Sequence, residues 1–248
     1  MKAVFAWLIV LLSAAAPALA QGAGPAAGGD LVYGTPVLNG TLGLGYSTDA
    51  ARGGQGGFVT GGSLRYALGR ITQSASFKLD RAEARASQGR MEFYGAYDLT
   101  FDGRNGVYGF VTGRYARQSR ARSADEIRED GFLGFGPGYR VLDGPKQLWR
   151  VQAGVGVSYL KDGTGATTTE PGVIVSSRYY RELRPRLVLS DETDVLKTAS
   201  ALRVSNDLGL SLQLTERFAT RISYLAEYSD RRADRMQNRL GVAMIIGF

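Results

Sequence analysis

The chain of 248 residues contains no cysteine and no histidine. Without cysteine it has no disulfide bonds, no thiolate metal sites and no cysteine nucleophile. Without histidine it lacks the serine–histidine pair of acyl hydrolases and the commonest metal ligand. We therefore expect a protein that is not an enzyme and that holds neither a metal ion nor an organic cofactor.

Two remaining patterns are weak candidates for chemistry. Glu192 and Asp194 stand two apart on one strand face beside interior arginines. Ion pairing explains these carboxylates more simply than a glycosidase pair does. The run Gly131–Gly138 has the composition of a phosphate loop, but it lacks the terminal Lys-Ser/Thr and the following helix. Neither pattern changes the expectation.

Long hydrophobic runs are confined to the amino terminus. Lys2, an apolar stretch over residues 4–16 and the sequence Ala18-Leu19-Ala20 predict a signal peptide over residues 1–20. Residues 21–36 are rich in Ala, Gly and Pro, which predicts a flexible periplasmic lead-in. No later apolar run approaches the roughly 18 residues that a transmembrane helix needs.

From residue 37 to the end, apolar residues alternate with small or polar ones. The segment Leu202–Leu214 is the clearest, since its even positions are mostly leucine and its odd positions include Arg203, Ser205 and Asp207. Twelve such segments predict an all-β fold, a transmembrane antiparallel up-and-down β-barrel of about 12 strands over residues 37–248. The fifth segment, Val107–Gln118, fits less cleanly, because placing Arg114 inside also turns Tyr108 and Phe110 inward.

The connections between these segments fall into two classes. Those after even segments are tight, and those after odd segments are mostly longer, as expected for short periplasmic turns and longer outer loops. A soluble β-sandwich, the simplest alternative, gives no reason for this difference. The longer connections are expected at residues 49–57, 82–89, 119–128, 161–169 and 229–235.

The last segment resembles the closing strand of a bacterial outer-membrane barrel, which carries an assembly signal ending in an aromatic residue. It departs from that pattern at Ala243, where glycine is usual. The resemblance implies outer-membrane localisation and recognition by the barrel-assembly machinery. The residues expected to carry that recognition are Leu240, Val242, Met244, Ile246 and Phe248.

The middle of the chain carries a second resemblance. Residues 132–145, F-L-G-F-G-P-G-Y-R-V-L-D-G-P, are followed by the alternating L-W-R-V-Q-A-G-V-G-V-S-Y. This stretch resembles the salt-induced outer-membrane protein family, a bacterial domain family of unknown function. The match departs at Ser47-Thr48-Asp49, where the family often has Thr-Gly-Asn. The resemblance implies an outer-membrane barrel and no particular activity.

The inward register carries ten basic and seven acidic residues. Two functions follow as alternatives: a structural or stress-related envelope barrel whose charges pair and plug the lumen, or a passive pore for small anionic solutes. The residues are Arg65, Lys78, Arg90, Arg114, Arg140, Arg150, Arg178, Arg203, Arg221, Arg239, Asp80, Glu92, Asp98, Glu192, Asp194, Asp207 and Glu227.

The formal charge of +7 mildly favours anionic partners. Outer-rim arginines are candidates for contacts to lipopolysaccharide phosphates, although neighbouring acids make a solvated loop equally reasonable. These arginines are Arg120, Arg122, Arg231, Arg232 and Arg235. We expect outer-membrane lipid and lipopolysaccharide as partners, no nucleic acid, and a monomer.

Overall fold

In the computed structural model, every regular element among the described residues is a β-strand. The structure describes residues 37–49, 55–82, 90–118, 127–231 and 235–248, so the predicted signal peptide and lead-in lie outside the described residues. The strands are β1 (Val37–Asp49), β2 (Gln55–Leu68), β3 (Ile71–Ala82), β4 (Arg90–Asp102), β5 (Val107–Gln118), β6 (Ile127–Gly144), β7 (Gln147–Asp162), β8 (Thr167–Arg184), β9 (Leu187–Thr198), β10 (Leu202–Gln213), β11 (Phe218–Ser229) and β12 (Met236–Gly247).

The twelve strands form one closed antiparallel barrel. Each strand pairs with its neighbours in sequence, and β1 pairs with β12 to close the sheet. The closure extends to the last residue, because Gly40 N donates to Phe248 O at 2.8 Å and Phe248 N donates to Gly40 O at 3.0 Å. A closed barrel leaves no unpaired sheet edge, which a lipid environment requires. The predicted fold class is confirmed.

The outward face of the barrel is an apolar belt. Leu44, Phe58 and Phe135 are 71%, 63% and 63% exposed, and many other large apolar side chains on this face are also exposed. Soluble monomers rarely expose continuous apolar patches above a few hundred Å². This face therefore contacts lipid, as the sequence register predicts.

Within the ranges that the structure describes, no helix is long and apolar enough to cross a membrane.

The end of the barrel that holds the carboxy terminus has the tight turns. Three of them contain left-handed residues, with φ of +57° at Gly69, +54° at Asn105 followed by +79° at Gly106, and +72° at Arg186. At the other end, the connection expected over residues 161–169 is shorter than predicted. Only residues 163–166 separate β7 from β8, because the two strands continue to pair up to Lys161 and Thr167.

The seam between β1 and β12 is lined by small residues. Gly45 lies opposite Ala243, and a Cβ atom added at Gly45 would come within 2.8 Å of the Ala243 Cβ. Gly40 likewise leaves room for the ring of Phe248, because a Cβ atom added at Gly40 would lie 2.3 Å from that ring. Glycine at position 45 thus accommodates the alanine that departs from the usual closing-strand pattern.

Candidate functional site

The candidate site is the lumen, which the inward side chains of all twelve strands line. The structure places the predicted lumen charges on this face, except that the side chain of Arg90 lies outside the described part of β4. Of the rim arginines, Arg231 and Arg235 are exposed beside the connection between β11 and β12. Arg120, Arg122 and Arg232 lie outside the described residues.

Arg239 of β12 is the centre of the first ion-pair group. Its guanidinium lies 3.0 Å from Asp80, 2.6 Å from Glu92 and 3.5 Å from Glu227. Its side chain is only 9% exposed. Because Asp80 and Glu92 belong to β3 and β4, the contacts reach past the intervening strands β1 and β2 into the lumen.

A second group joins β5 to β9. Arg114 lies 3.0 Å from Asp98 and 3.9 Å from Asp194. Arg178 Nη2 donates to both carboxylate oxygens of Asp194, at 2.9 and 2.8 Å. Arg178 lies 3.3 Å from Glu192 as well. The pair suggested at Glu192 and Asp194 therefore serves two arginines, as ion pairing predicts.

Arg203 makes a third contact between separated strands. From β10 it pairs with Asp130 of β6, and it donates to Ser158 Oγ of β7 at 2.8 Å. Two further pairs are more local: Arg221 with Asp207 at 2.9 Å, and Arg140 with Asp102. Most charges of the lumen are thus neutralised by direct contact.

An apolar wedge fills the other part of the lumen. Tyr108 and Phe110 point inward beside Arg114 and are each 2% exposed, which resolves the ambiguous register of the fifth strand. They pack against Phe132, Ile174 and Leu196. The Tyr108 hydroxyl donates to Gln152 Oε1 at 3.2 Å, so the one polar atom at its tip is satisfied.

The lumen wall near the β1–β12 seam is rich in glycine. Residues of β1, β2 and β12 line a cavity of about 290 Å³, whose walls include Gly43, Gly45, Gly61 and Gly241. Four charged residues reach it: Lys78, Asp207, Arg221 and Arg239. The cavity lies along the seam where the barrel closes.

Three cations are not neutralised by direct contact. Among the described residues, no acid lies within ion-pair distance of Arg65, Lys78 or Arg150, and the Nε of Arg150 is buried without a hydrogen-bond partner. Arg140, which lies over the Tyr108 ring at 5.7 Å, is near Arg65 as well. The ion-pair groups above contain six arginines and nine acids, so their three excess acids balance these three unpaired cations.

Sequence reasoning missed the apolar partners Phe132, Ile174 and Leu196, although all three occupy inward positions of their strands. It also missed polar residues on the lipid-facing wall of β9 and β10. Asp191 and Asn206 continue the outward registers of Leu189 and Leu208, so extending the alternation by one residue would have found them.

In the described ranges, no three or more acidic side chains are grouped so as to hold a metal ion.

A comparison with functionally curated proteins finds no match. Among solved structures, the NanC porin superposes with a TM-score of 0.55 at 8% identity, covering 85% of this chain and 99% of that one. The KdgM porin gives 0.47 at 10% identity, covering 84% and 99%. The translocator domain of the autotransporter NalP from Neisseria meningitidis gives 0.48 at 15% identity, covering 86% and 87%. The likeness to the NanC porin is one of fold.

The barrel fold and its lipid-facing belt place the protein in the outer membrane, as predicted. A family profile described as "Protein of unknown function, DUF481" matches residues 42–247. This match confirms the family-level prediction; that description says nothing about salt induction, which stays a prediction. Because the match covers most of the sequence, the chain belongs to the DUF481 family.

Proposed function

We propose that the protein is a structural barrel of the outer membrane whose lumen is closed by its own side chains. The observation that carries the proposal is the set of ion pairs between separated strands, Arg239 with Asp80, Arg114 with Asp194 and Arg203 with Asp130. Together with the apolar wedge, these contacts cross the lumen. Such a barrel has no need of catalytic groups, and we propose that it has no enzymatic activity.

The strength of these pairs supports closure. Breaking a buried ion pair by removing one partner typically costs about 3–5 kcal/mol, because the remaining charge is left without compensation. A solute passing through the lumen would have to separate Arg239 from three carboxylates at once. We therefore expect the closed state to predominate.

A passive pore for small anionic solutes is the second candidate, and the cavity along the seam favours it. Lys78 and Arg221 reach this cavity, and Lys78 has no acid within ion-pair distance among the described residues. A cation facing a narrow space raises the local concentration of anions. A pore along the seam would need only the glycine-lined wall to stay open.

We propose lipopolysaccharide as the partner at the outer rim. Arg117 and Lys161 lie on the outward face there and share Glu129, at 3.9 and 3.7 Å. One carboxylate between two cations leaves a net positive charge beside the lipid, where guanidinium and ammonium groups bind phosphate. The exposed Arg231 and Arg235 extend the same rim.

We also propose that the outward row of β12 contacts the barrel-assembly machinery. Leu240, Val242, Met244, Ile246 and Phe248 are between 44% and 56% exposed along one lipid-facing line.

Planar-bilayer conductance of the refolded barrel tests the closed lumen. We expect bilayers that contain the protein to show no stable unitary current steps. Stable, anion-selective steps would contradict closure and support the pore. If such steps appear, a Lys78→Glu variant tests the route along the seam, since it should reduce or reverse the preference for anions.

A further inference from the structure

A polar patch interrupts the lipid-facing wall of β8–β12. It consists of Ser177, Asp191, Thr193, Asn206 and Asn238, all on outward positions of their strands. Asn206 Nδ2 donates to Asp191 Oδ1 at 2.6 Å and to Thr193 Oγ1 at 2.9 Å. The Trp149 indole donates to Ser177 Oγ at 3.1 Å.

The patch lies within the membrane rather than at its surface. Asp191 is four residues above the start of β9 at Leu187, and Asn206 is seven residues above the end of β10 at Gln213. At about 3.4 Å per residue and a tilt of about 40°, these positions are roughly 10 and 18 Å above the periplasmic strand ends. Both depths fall inside an apolar band about 25 Å tall.

A carboxylate facing lipid at this depth is destabilising, and an ionisable residue within a membrane usually has a functional partner. Other lipid-facing hydroxyls of this chain need no partner. Thr60 donates to the backbone oxygen of Gly43 at 3.2 Å, and Thr220 donates to that of Ala243 at 3.4 Å. The patch differs from them because its hydrogen-bonding capacity is not used up within the chain.

The unused groups of the patch match one another. Both amide hydrogens of Asn206 are used, but its Oδ1 accepts no hydrogen bond from the described residues. Ser177 and Thr193 act as acceptors in their bonds, which leaves their hydroxyl hydrogens to donate. A surface with both free donors and free acceptors is complementary to a copy of itself.

The register gives this patch a shape suited to a two-fold contact. Ser177 pairs with Thr193, Thr193 with Asn206, Asn206 with Ala226, and Ala226 with Asn238, so the patch follows one hydrogen-bonding line across five strands. The small side chain of Ala226 in this line permits close approach. Two copies inserted in the same orientation are related by an axis along the membrane normal. Their tilted lines then cross near the middle residue, Asn206.

We propose that the protein forms a homodimer in the membrane through this patch, with Asn206 near the two-fold axis. There its free Oδ1 accepts from the Thr193 hydroxyl of the second copy. The contact removes the polar groups from lipid, which gives the outward Asp191 and Asn206 a role. This dimer departs from the monomer that we expect from the sequence.

Crosslinking tests the dimer without disturbing the patch. The chain has no cysteine, so a single introduced thiol reports one position. Leu208, outward and opposite Asp191 in the register, is 42% exposed, and Phe77 on the far wall is 43% exposed. In vesicles, oxidation should join two copies of a Leu208→Cys variant and leave a Phe77→Cys variant as single chains. Equal crosslinking of both variants, or none at position 208, would overturn the proposal.

Sedimentation in density-matched detergent measures the same contact at equilibrium. The wild-type barrel should be a dimer, and an Asp191→Leu/Asn206→Leu double variant should dissociate at least about tenfold more readily. A Thr60→Val variant, which removes a self-satisfied hydroxyl, should match the wild type. A wild-type monomer, alone or bound at this wall by lipopolysaccharide or another protein, would refute the dimer. Should the double variant fail to fold, the Leu208→Cys crosslink decides.

Discussion

Replacing Arg239 by methionine tests how far the ion pairs hold the lumen together. The substitution keeps an apolar stem of similar length but leaves Asp80, Glu92 and Glu227 facing one another. Those carboxylates lie at 3.0, 2.6 and 3.5 Å from the guanidinium, and their side chains are 10%, 18% and 25% exposed. Water therefore screens little of the repulsion that the lost cation had offset.

We expect the Arg239→Met variant to lose about 3–5 kcal/mol of unfolding free energy, the usual cost of removing one partner of a buried pair. The unfolding free energy of an Arg239→Lys variant should lie between those of the wild type and of Arg239→Met. A compact ammonium cannot contact three carboxylates as the planar guanidinium does. The assay is urea unfolding in lipid vesicles, followed by tryptophan fluorescence and by the gel mobility of the folded barrel.

Arg65→Met is the matched control. Arg65 also faces the lumen, but no described acid lies within ion-pair distance, and its charged neighbours are Arg150, Asp102 and Arg140. Removing this cation should change stability by less than about 1 kcal/mol. If Arg239→Met were no more destabilising than Arg65→Met, the ion pairs would not hold the lumen closed. In planar bilayers, the Arg239→Met variant should also conduct more than the Arg65→Met variant.

Three further variants probe other parts of the barrel. Gly45→Val should weaken the β1–β12 seam by about 1–3 kcal/mol, since its Cβ would lie 2.8 Å from that of Ala243, and urea unfolding measures this loss. Arg186→Gly should raise stability by about 1 kcal/mol in the same assay, because φ is +72° there. Phe110→Ala should cost about 3–5 kcal/mol and raise bilayer conductance, because it removes a 2% exposed side chain from the wedge.

Each of these variants has a control. Gly109→Val adds the same side chain where a new Cβ meets nothing within 4 Å, so it should leave the seam intact. Arg184→Gly removes an arginine from the same turn without a positive φ and should not stabilise. For Phe110→Ala, unchanged conductance alongside a clear loss of stability would mean that other side chains close the lumen.

The alternation of residues along the sequence predicts most of the fold, for a physical reason. A barrel wall separates lipid from lumen, so each strand must alternate, and the chemistry of the two faces can be read residue by residue. The strand bounds at β7 and β8 were less predictable. Polar residues such as Thr167 and Thr168 suggest a loop, yet they pair with Lys161 and Leu160 and extend the hairpin.

The alternation of residues does not predict which side chains contact one another inside the lumen. The register of β12 places Arg239 inside, but which of the acids it meets depends on how the closed sheet curves. The same holds for Arg114 and Asp194, which are distant in sequence and on strands that do not pair. From the sequence of β5 alone, Tyr108 and Phe110 do not fit a charged lumen. The fold explains them, because they pack against Phe132, Ile174 and Leu196.

The two sides of the lumen follow from how the barrel must close. The bulky wedge lies on β5–β9, in strands that pair with neighbours along the chain, whereas the seam between β1 and β12 joins the two ends of the sheet. Small residues at the seam let the backbones meet without interlocking side chains, at the cost of empty space beside them. Ion pairs from Arg239 and Arg221 then cover part of that space. Any solute path through the protein therefore runs along the seam, and side chains added there would obstruct that path and also weaken the pairing of β1 with β12.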